Sequence, residues 1–593
     1  MDPSTSNAQA STDHFPPREA QIDTEDKKMG SRSQLTQSPW YIHSRRYIQK
    51  IRGGDIAASE GKDISPHHRP FTPTTKATLS SFKLHGGLIK NARTLPKVVH
   101  QAMKVVCGLG ERYLWVDRFC IVQDDPLPKL RQLSLMGDIY AKSYFTLIAA
   151  GHKDAVYGLY ALAKYYWNKR IDSCKQNGTR EGYTQIGWTM QEYLLSRRRV
   201  IFHNDTVNWE CLCSAWNEMH VLDQSIRADE ICPDEKMTTG LALRFEATPW
   251  PNMFRYSRLV SSYNRRKLTY PDDIFYAFSG ILTHLSRSFP GGFISGLPQM
   301  CFDAALLWQP WAQMNRRVPL KRLSARPPSW SWAGWSGNMN SESWRSATNY
   351  MLESDDEMNA GQQCSWKTFS TVNWFYSTQL NDSPHAIKSF PEFSQPAQRK
   401  YPGLPPNWSS EESDTSSIQK QIFYHTCAPS QPFRHPIPIR DQYKAHIPPV
   451  IAYYLKGVTN HAFFKFGRPY KTTASSCPAV DLLLPDESWA GVLRLNVTSA
   501  DTDDYTAMYR NNQENRVELI EISAGEVHNQ PIEEKSFDEW NKEECPRHQG
   551  LYEFVNVVWI KWEGNIVYRE ALGRVKKDVW CEIAREKIAV TFG

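Results

Sequence analysis

The sequence predicts an α/β protein. A parallel-sheet domain lies towards the N-terminus, a mostly helical region follows it, and a mainly β module makes up the C-terminal part. Three observations carry this prediction. Two apolar runs, Tyr113–Val116 and Tyr144–Ala150, flank a segment with near-helical spacing of apolar residues, so strand, helix and strand follow in order. The stretch from about 250 to 310 keeps a helical period. From about 446 onward, short runs rich in β-branched and aromatic residues recur between turn residues.

Composition bounds what such a chain can do. It has 593 residues, more than one ordinary core holds, and 40% of them are apolar. Aromatics make up 12%, with 21 Trp, which points to a well-packed globular protein. The 70 Lys and Arg against 63 Asp and Glu leave a net charge of +7, mild for this length. Basic residues occur in short clusters such as Arg197-Arg198-Arg199 and Arg265-Arg266-Lys267, with no long stripe, so nucleic acid is not an expected partner. The 12 Cys are scattered, Met1–Glu25 has no apolar leader, and no stretch approaches the roughly 18 apolar residues of a membrane span. The expectation is a cytoplasmic protein with reduced thiols and no membrane span.

The elements follow in chain order. Residues 1–75, rich in Ser, Thr, Gln, Pro and charge, are expected to form a disordered tail. Thr94–Gly108 reads as a helix capped by Thr94, with Leu95, Val98, Ala102 and Val105 on one apolar face. Tyr113–Val116 is the first strand, Lys129–Ser143 the second helix, and Tyr144–Ala150 the second strand. Parallel strands joined by a helix end on one edge, and open parallel sheets bind ligands there. The first strand delivers Asp117, Cys120 and Gln123-Asp124-Asp125; the second delivers Gly151, His152 and Asp154. Thr189 and Glu192 have the spacing of a capping box that opens a short helix. Val200–Phe202 and Val207–Trp209 flank a turn and form a hairpin. Asp272–Leu285 is helical, and Pro328–Gly337 is extended with Trp330 and Trp332 on one side and Ser331 on the other. Residues 352–445 turn polar and Pro/Ser-rich, a low-complexity linker or insertion. In 446–593, strands are expected at 482–484, 491–497, 517–522 and 555–562, the last turning at Glu563-Gly564-Asn565 into a hairpin, with a short helix near Lys577–Ile583.

Several side chains can carry chemistry, and each has a structural reading beside the functional one. Asp117 can orient a ribose or a catalytic water, or tie down the following loop. Cys120 can be a nucleophile, but its flanks Phe119 and Ile121 favour core packing. Asp124 and Asp125 can hold a metal or polarise a substrate, or stand solvated in a loop. Glu192 can be a catalytic acid, or simply the far half of the capping box. Arg197 to Arg199 can grip phosphate, or line a solvated face. Trp330 and Trp332 can stack on a ligand or fill the core. Cys211 and Cys213 with His203 and His220 hint at zinc, but no second Cys pair follows at finger spacing, and no metal site is expected.

These segments resemble the heterokaryon-incompatibility (HET) domain proteins of filamentous fungi. Tyr113-Leu-Trp-Val-Asp-Arg-Phe-Cys-Ile-Val-Gln-Asp-Asp125 is similar to the family's LWVDxLCIxQDD block, Met136-Gly-Asp-Ile-Tyr-Ala141 to MxxIYxxA, and Gly187-Trp-Thr-Met-Gln-Glu-Tyr-Leu-Leu-Ser-Arg-Arg198 to RxWTxQExLLSxR. Leu268–Asp273, Pro328–Ala333 and the tail around Val558–Trp562 and Tyr568–Arg574 are similar to later blocks. Three departures stand out: the opening ALSYxWG block is reduced to a remnant in Thr78–Leu84, Pro126-Leu127-Pro128 follows the acidic pair, and the position before Gly187-Trp-Thr lacks the usual Arg. The resemblance implies a TIR-like, flavodoxin-like α/β core and a part in allorecognition and programmed cell death. Its partner would be a second copy or a second incompatibility protein. By remote analogy with TIR domains it also implies NAD as a substrate, hydrolysed with Asp117, Asp125 and Glu192 as catalytic residues and with Trp115, Cys120, Gln123, Asp124, Trp188 and Arg197 in ligand or partner contacts; no bound cofactor is expected. A divergent, inactive copy that has lost the first block is the further alternative. The resulting organisation is a tail at 1–75, the HET domain with a helical extension at 76–340, the insertion at 352–445 and a β-rich region at 446–593.

Overall fold

The computed structural model describes residues 47–51, 73–84, 87, 95–150, 159, 186–203, 206–211, 214–217, 248–319, 326–352, 366–393, 403–413, 420–439, 446–497, 516–528, 537–539, 542–545 and 550–593. The first part of the chain gives β1 (Tyr47–Ile51), α1 (Lys76–Lys83), α2 (Lys97–Gly108), α3 (Asp117–Cys120), α4 (Pro126–Lys142), β2 (Ser143–Ala149), α5 (Gly187–Leu195), β3 (Arg198–His203), β4 (Thr206–Cys211) and β5 (Ala215–Asn217). The five strands form one sheet in sequential order. β1 and β3 both run parallel to β2, and β3, β4 and β5 continue it antiparallel. The hairpin expected around residues 203–206 is the β3–β4 pair.

The sheet is buried on both faces, which explains why β2 reads as an unbroken apolar run. Phe145, Leu147 and Ala149 of β2 pack with Val98, Val99, Ala102 and Val106 of α2 on one side. Ile148 packs on the other side with Leu133, Met136 and Tyr140 of α4 and with Met190, Leu194 and Leu195 of α5. Helices therefore cover both faces.

Two expectations about this domain need correction. Tyr113–Val116 does not pair with β2: within it only Trp115 makes a single bridge. The segment still alternates, with Leu114 and Val116 in the α2-side core and Trp115 in the α4-side core. It crosses the domain like a strand without the ladder, and the neighbours of β2 are β1 and β3 instead. β1 lies inside the stretch expected to be a disordered tail. The polar sequence of 1–75 hides a five-residue segment, Tyr47-Ile-Gln-Lys-Ile51, whose ladder bonds come from β2 and not from its own composition. The expected direct pairing of 113–116 with 144–150, on which the shared rim rested, is therefore absent among the described residues. The cap Thr94 and the residues Gly151, His152 and Asp154 lie outside the described residues; α2 begins at Lys97, behind Pro96, with no side-chain cap.

α4 starts three residues earlier than expected. Pro126 and Pro128 fall in its first turn, where a missing N–H costs nothing. α5 also starts earlier, at Gly187. Thr189 is its third residue and donates its hydroxyl to the Ile186 carbonyl at 2.7 Å, so Thr189 and Glu192 are not a capping box. Gly187 opens this helix because Lys267 and Leu268 press on it: the Gly187 N–H donates to the Lys267 carbonyl at 2.8 Å, and a Cβ here would stand 2.5 Å from the Leu268 side chain.

The middle of the chain gives α6 (Met253–Asn264), capped by Asn252, and α7 (Ile274–Leu285), then β6 (Phe293–Ile294), β7 (Leu297–Pro298), α8 (Phe302–Ala305), β8 (Asn315–Arg316) and β9 (Trp335–Ser336). α7 lies against α4 and α5, and Gly137 faces Gly280 so closely that a Cβ on either would come within 2.7 Å of the other's Cα. Pro328–Gly337 is not a uniform extended segment. Residues 332–334 form a 3-10 turn opened by Ser331, whose hydroxyl accepts the Ala333 N–H, and Trp330, Ser331 and Trp332 are all buried. The polar stretch 352–445, read as a linker, contributes β10 (Lys367–Phe369), β11 (Phe375–Ser377), β12 (His385–Ala386), β13 (Trp408–Ser413), β14 (Lys420–His425) and β15 (Ala428–Phe433). Its aromatics, including Trp366, Trp374, Phe393 and Phe433, are buried in the main core among the polar and Pro/Ser-rich residues that suggested a linker.

The C-terminal part gives β16 (Tyr454–Tyr470), β17 (Ala479–Leu483), β18 (Trp489–Arg494), β19 (Arg516–His528), β20 (Leu551–Glu563), β21 (Ile566–Lys576), α9 (Lys577–Glu582) and β22 (Glu586–Phe592). Six of these strands close on themselves in the order β16, β17, β18, β21, β20, β19 and back to β16. The 17-residue β16 makes closure possible by changing partner along its length, from β22 to β19 to β17. Side chains such as Phe464, Phe466, Leu493, Leu519, Val557 and Trp559 fill the interior with Trp580 of α9, so the barrel is a packed core and not a channel. Its outer face, through Phe554, Val558, Ile560 and Leu572, joins the core that runs through α4 to α7.

Candidate functional site

The loop residues between 118 and 125 converge on a short segment at the start of α1. Thr74 donates its N–H to the Arg118 carbonyl (3.1 Å) and its hydroxyl to the Phe119 carbonyl (2.8 Å), and its own carbonyl accepts the Gln123 N–H (2.8 Å). The Gln123 side-chain amide donates to the carbonyls of Asp117 (3.3 Å) and Ile121 (3.2 Å), closing the turn after α3. Asp124 Oδ1 accepts the Lys76 N–H at 2.8 Å, where an anion suits a helix N-terminus, and Asp125 stands 3.5 Å from Lys76 Nζ. Asp117 Oδ1 accepts the Arg118 N–H at 2.7 Å in the first turn of α3. This set of contacts clamps 73–76 onto the loop between α3 and α4.

The other expected residues sit elsewhere. Trp115 is buried edge-on to Tyr140, with ring centroids 6.3 Å apart. Cys120 accepts the Val116 N–H at 3.4 Å, and burial pushes its thiol up to about 12, a direction that favours the thiol over the thiolate. Glu192 lies mid-helix in α5, only 8% exposed, and its carbonyl accepts the Ser196 hydroxyl at 2.5 Å. Trp188 packs half-buried against the main core, and Arg197 is exposed. His203 and Cys211 are described, whereas Cys213 and His220 lie outside the described residues; among the described residues no group of three or more His, Cys, Asp or Glu could hold a metal ion.

A buried polar network escaped the sequence reading. Arg199 in β3 is fully buried. Its Nε stands 3.2 Å from Glu210 Oε2, its Nη1 donates to the carbonyls of Tyr193 (2.9 Å) and Ser196 (2.8 Å), and its guanidinium lies 4.5 Å from the Tyr193 ring centroid. The Tyr193 hydroxyl donates to the same Glu210 oxygen at 2.6 Å. Thr146 of β2 shares a 2.7 Å hydrogen bond with Ser196, and Ser143 donates to the Tyr140 carbonyl. The network locks the end of α5 to β2, β3 and β4. A signal for it was present: in the β3–β4 register Arg199 stands opposite Glu210, a cross-strand charge pair.

On α7, the Gly280 N–H donates to Gln191 Oε1 of α5 at 2.8 Å, and Arg266 Nη1 donates to the Ile186 carbonyl and the Thr189 hydroxyl, both at 3.3 Å. Every motif segment between 113 and 199 is thus tied either to its neighbours or to the helices that follow. Residues 67–210 match the family model described as heterokaryon incompatibility protein (HET). No curated protein and no solved structure matches the chain.

Proposed function

Starting from the HET domain that the chain carries over residues 67–210, we propose that the protein is a cytoplasmic component of fungal allorecognition. Its α/β domain, TIR-like in arrangement, triggers programmed cell death by associating with a second copy or with a second incompatibility protein. The observation that supports association over catalysis is the use made of the motif residues: Gln123, Asp124 and Asp125 each bind a backbone or side-chain group of the 73–76 or 117–121 segments. A clamp of that kind makes a rigid body for docking. Among the described residues no helix is long and apolar enough to cross a membrane, so the reading relies on protein contacts and not on insertion of a helix.

Inducible expression of the full chain in a filamentous fungal host tests this reading. Growth arrest with uptake of a vital dye is expected, and normal growth at high accumulated protein would overturn it. The same purified chain is incubated with NAD: release of nicotinamide that Glu192→Gln abolishes would replace association with the hydrolase reading.

A further inference from the structure

Among the described residues, the outer face of α4 carries exposed apolar side chains. The helix buries Leu133, Met136, Gly137 and Tyr140 against the domain. Its opposite face carries Leu127 and Leu135, which are 79% and 43% exposed, with the exposed Arg131 and Asp138 between them around the helix; Leu130, 40% exposed, stands beside the buried stripe. A single exposed leucine needs no explanation, but two that bracket a pair of opposite charges on one helical face, about 12 Å apart along the axis, mark a surface that can dock.

We propose that a second copy of this chain docks on this face, with the two α4 helices antiparallel about a two-fold axis at the Ser134–Leu135 step. The charge pattern selects this occupant. Arg131 and Asp138 lie equally far from that step on the same face. A two-fold axis there sets Arg131 of each copy opposite Asp138 of the other and forms two ion pairs at once, the self-complementarity that an isologous contact requires. Ser134 at the centre is small enough for close approach, and the leucines flank it. In the single chain Asp138 is 3.1 Å from Lys142, but both are largely exposed, and so solvated a pair yields its carboxylate at little cost. Leu127 sits in the first turn, held there by Pro126 and Pro128, so its exposure is set by the helix start and not by a floppy loop. One helix face buries less than a standard interface, so the contact is weak and responds to concentration. The inference gives a surface to the association proposed above and rests on that reading for its biological sense, while its geometry stands independently.

Sedimentation of the full chain over a wide concentration range tests it. The mass should rise from one copy to two. Arg131→Asp or Asp138→Arg alone should weaken this by about tenfold or more, and an equimolar mixture of the two variants should dimerise again, because each then meets its opposite charge. Both positions are exposed, so the circular dichroism spectrum should not change. A chain that stays monomeric throughout, as when a segment of its own covers the face, overturns the proposal; so does a dimer indifferent to both reversals. Growth arrest is scored on the same variants. A chain that dimerises through α4 but arrests no host keeps the surface and loses the function, whereas arrest by a strictly monomeric chain does the reverse.

Discussion

At the residue scale, the acidic groups that drew attention in the sequence are the ones with ordinary partners, and the unusual carboxyl is one that no motif marks. Asp303 of α8 is buried, with Ser370 as a hydrogen-bonding partner, and burial raises its carboxyl from the usual 3.8 to about 7. The folded state therefore binds its proton more tightly than the unfolded chain does. The direction follows: stability from this group is fully present below about 4, declines as pH rises, and is lost by about 7. Replacing Asp303 with Asn keeps the shape and removes the titration. The variant should match the native protein near pH 4 and be more stable at pH 8, by up to about 4 kcal/mol. Urea midpoints of the two proteins at both pH values check this; equal midpoints at pH 8 would mean that the carboxylate is stabilised in ways burial does not reveal. The Arg199–Glu210 pair shows the opposite case, a buried charge whose partner and carbonyl contacts make it tolerable in the core.

At the element scale, the α4–α7 crossing is decided by two glycines. Ala is the better helix former, so propensity alone favours replacing them. Gly137 and Gly280, however, meet backbone to backbone, and a Cβ on either lands 2.6 to 2.7 Å from the facing Cα. Gly137→Ala and Gly280→Ala should each destabilise by about 1–3 kcal/mol through forced separation of the helices. Gly108→Ala, at the end of α2 with nothing within 4 Å, should be neutral or stabilising by up to about 1 kcal/mol. Thermal unfolding of the three variants side by side measures the contrast. The same pair of helices shows what could be read from the sequence. α4 and β2 announced themselves by period, because one face of the helix and both faces of the strand are buried. The β3–β4 and β20–β21 hairpins were visible for the same reason, alternating runs around turn residues. β1 was not visible: five residues of mixed polarity become a strand only because β2 offers a free edge. The capping box at Thr189 misled because spacing cannot say whether a helix starts at Thr189 or two residues before it, and the contact at Gly187 comes from Lys267 and Leu268, some 80 positions away. The site suffered likewise. Asp117, Gln123, Asp124 and Asp125 were read as one cluster, but of the residues that bind this loop Thr74 lay inside the segment read as tail and Lys76 directly after it.

At the scale of the whole molecule, the segment that matches the HET family ends short of the helices it packs against. Its boundary at 210 leaves out α6 and α7, yet nearly every residue of α5 is buried, and Gln191, Ile186 and Thr189 spend their hydrogen-bonding groups on Gly280 and Arg266. The middle region is joined in turn to the barrel. Arg569 of β21 is buried without a carboxylate and donates to the carbonyls of Leu306 and Trp308, 3.9 Å from the Trp308 ring centroid, while Ser329 accepts the Arg569 N–H. One apolar core consequently runs from Trp115 to Phe592. A fragment of residues 67–210 would expose the inner faces of α4 and α5, including Met136, Tyr140, Met190 and Leu194, and leave polar groups of α5 without their partners. It should therefore aggregate or bind a hydrophobic dye strongly, with poor near-ultraviolet dichroism, whereas the full chain should show neither behaviour. A soluble fragment with native-like near-ultraviolet dichroism and cooperative unfolding would show that the later helices merely lean on the domain. If the fragment fails as expected, any change in how the barrel sits on the middle region has a route to α5 through contacts already present, from Arg569 to the backbone of 306–308 and from α7 to Gln191.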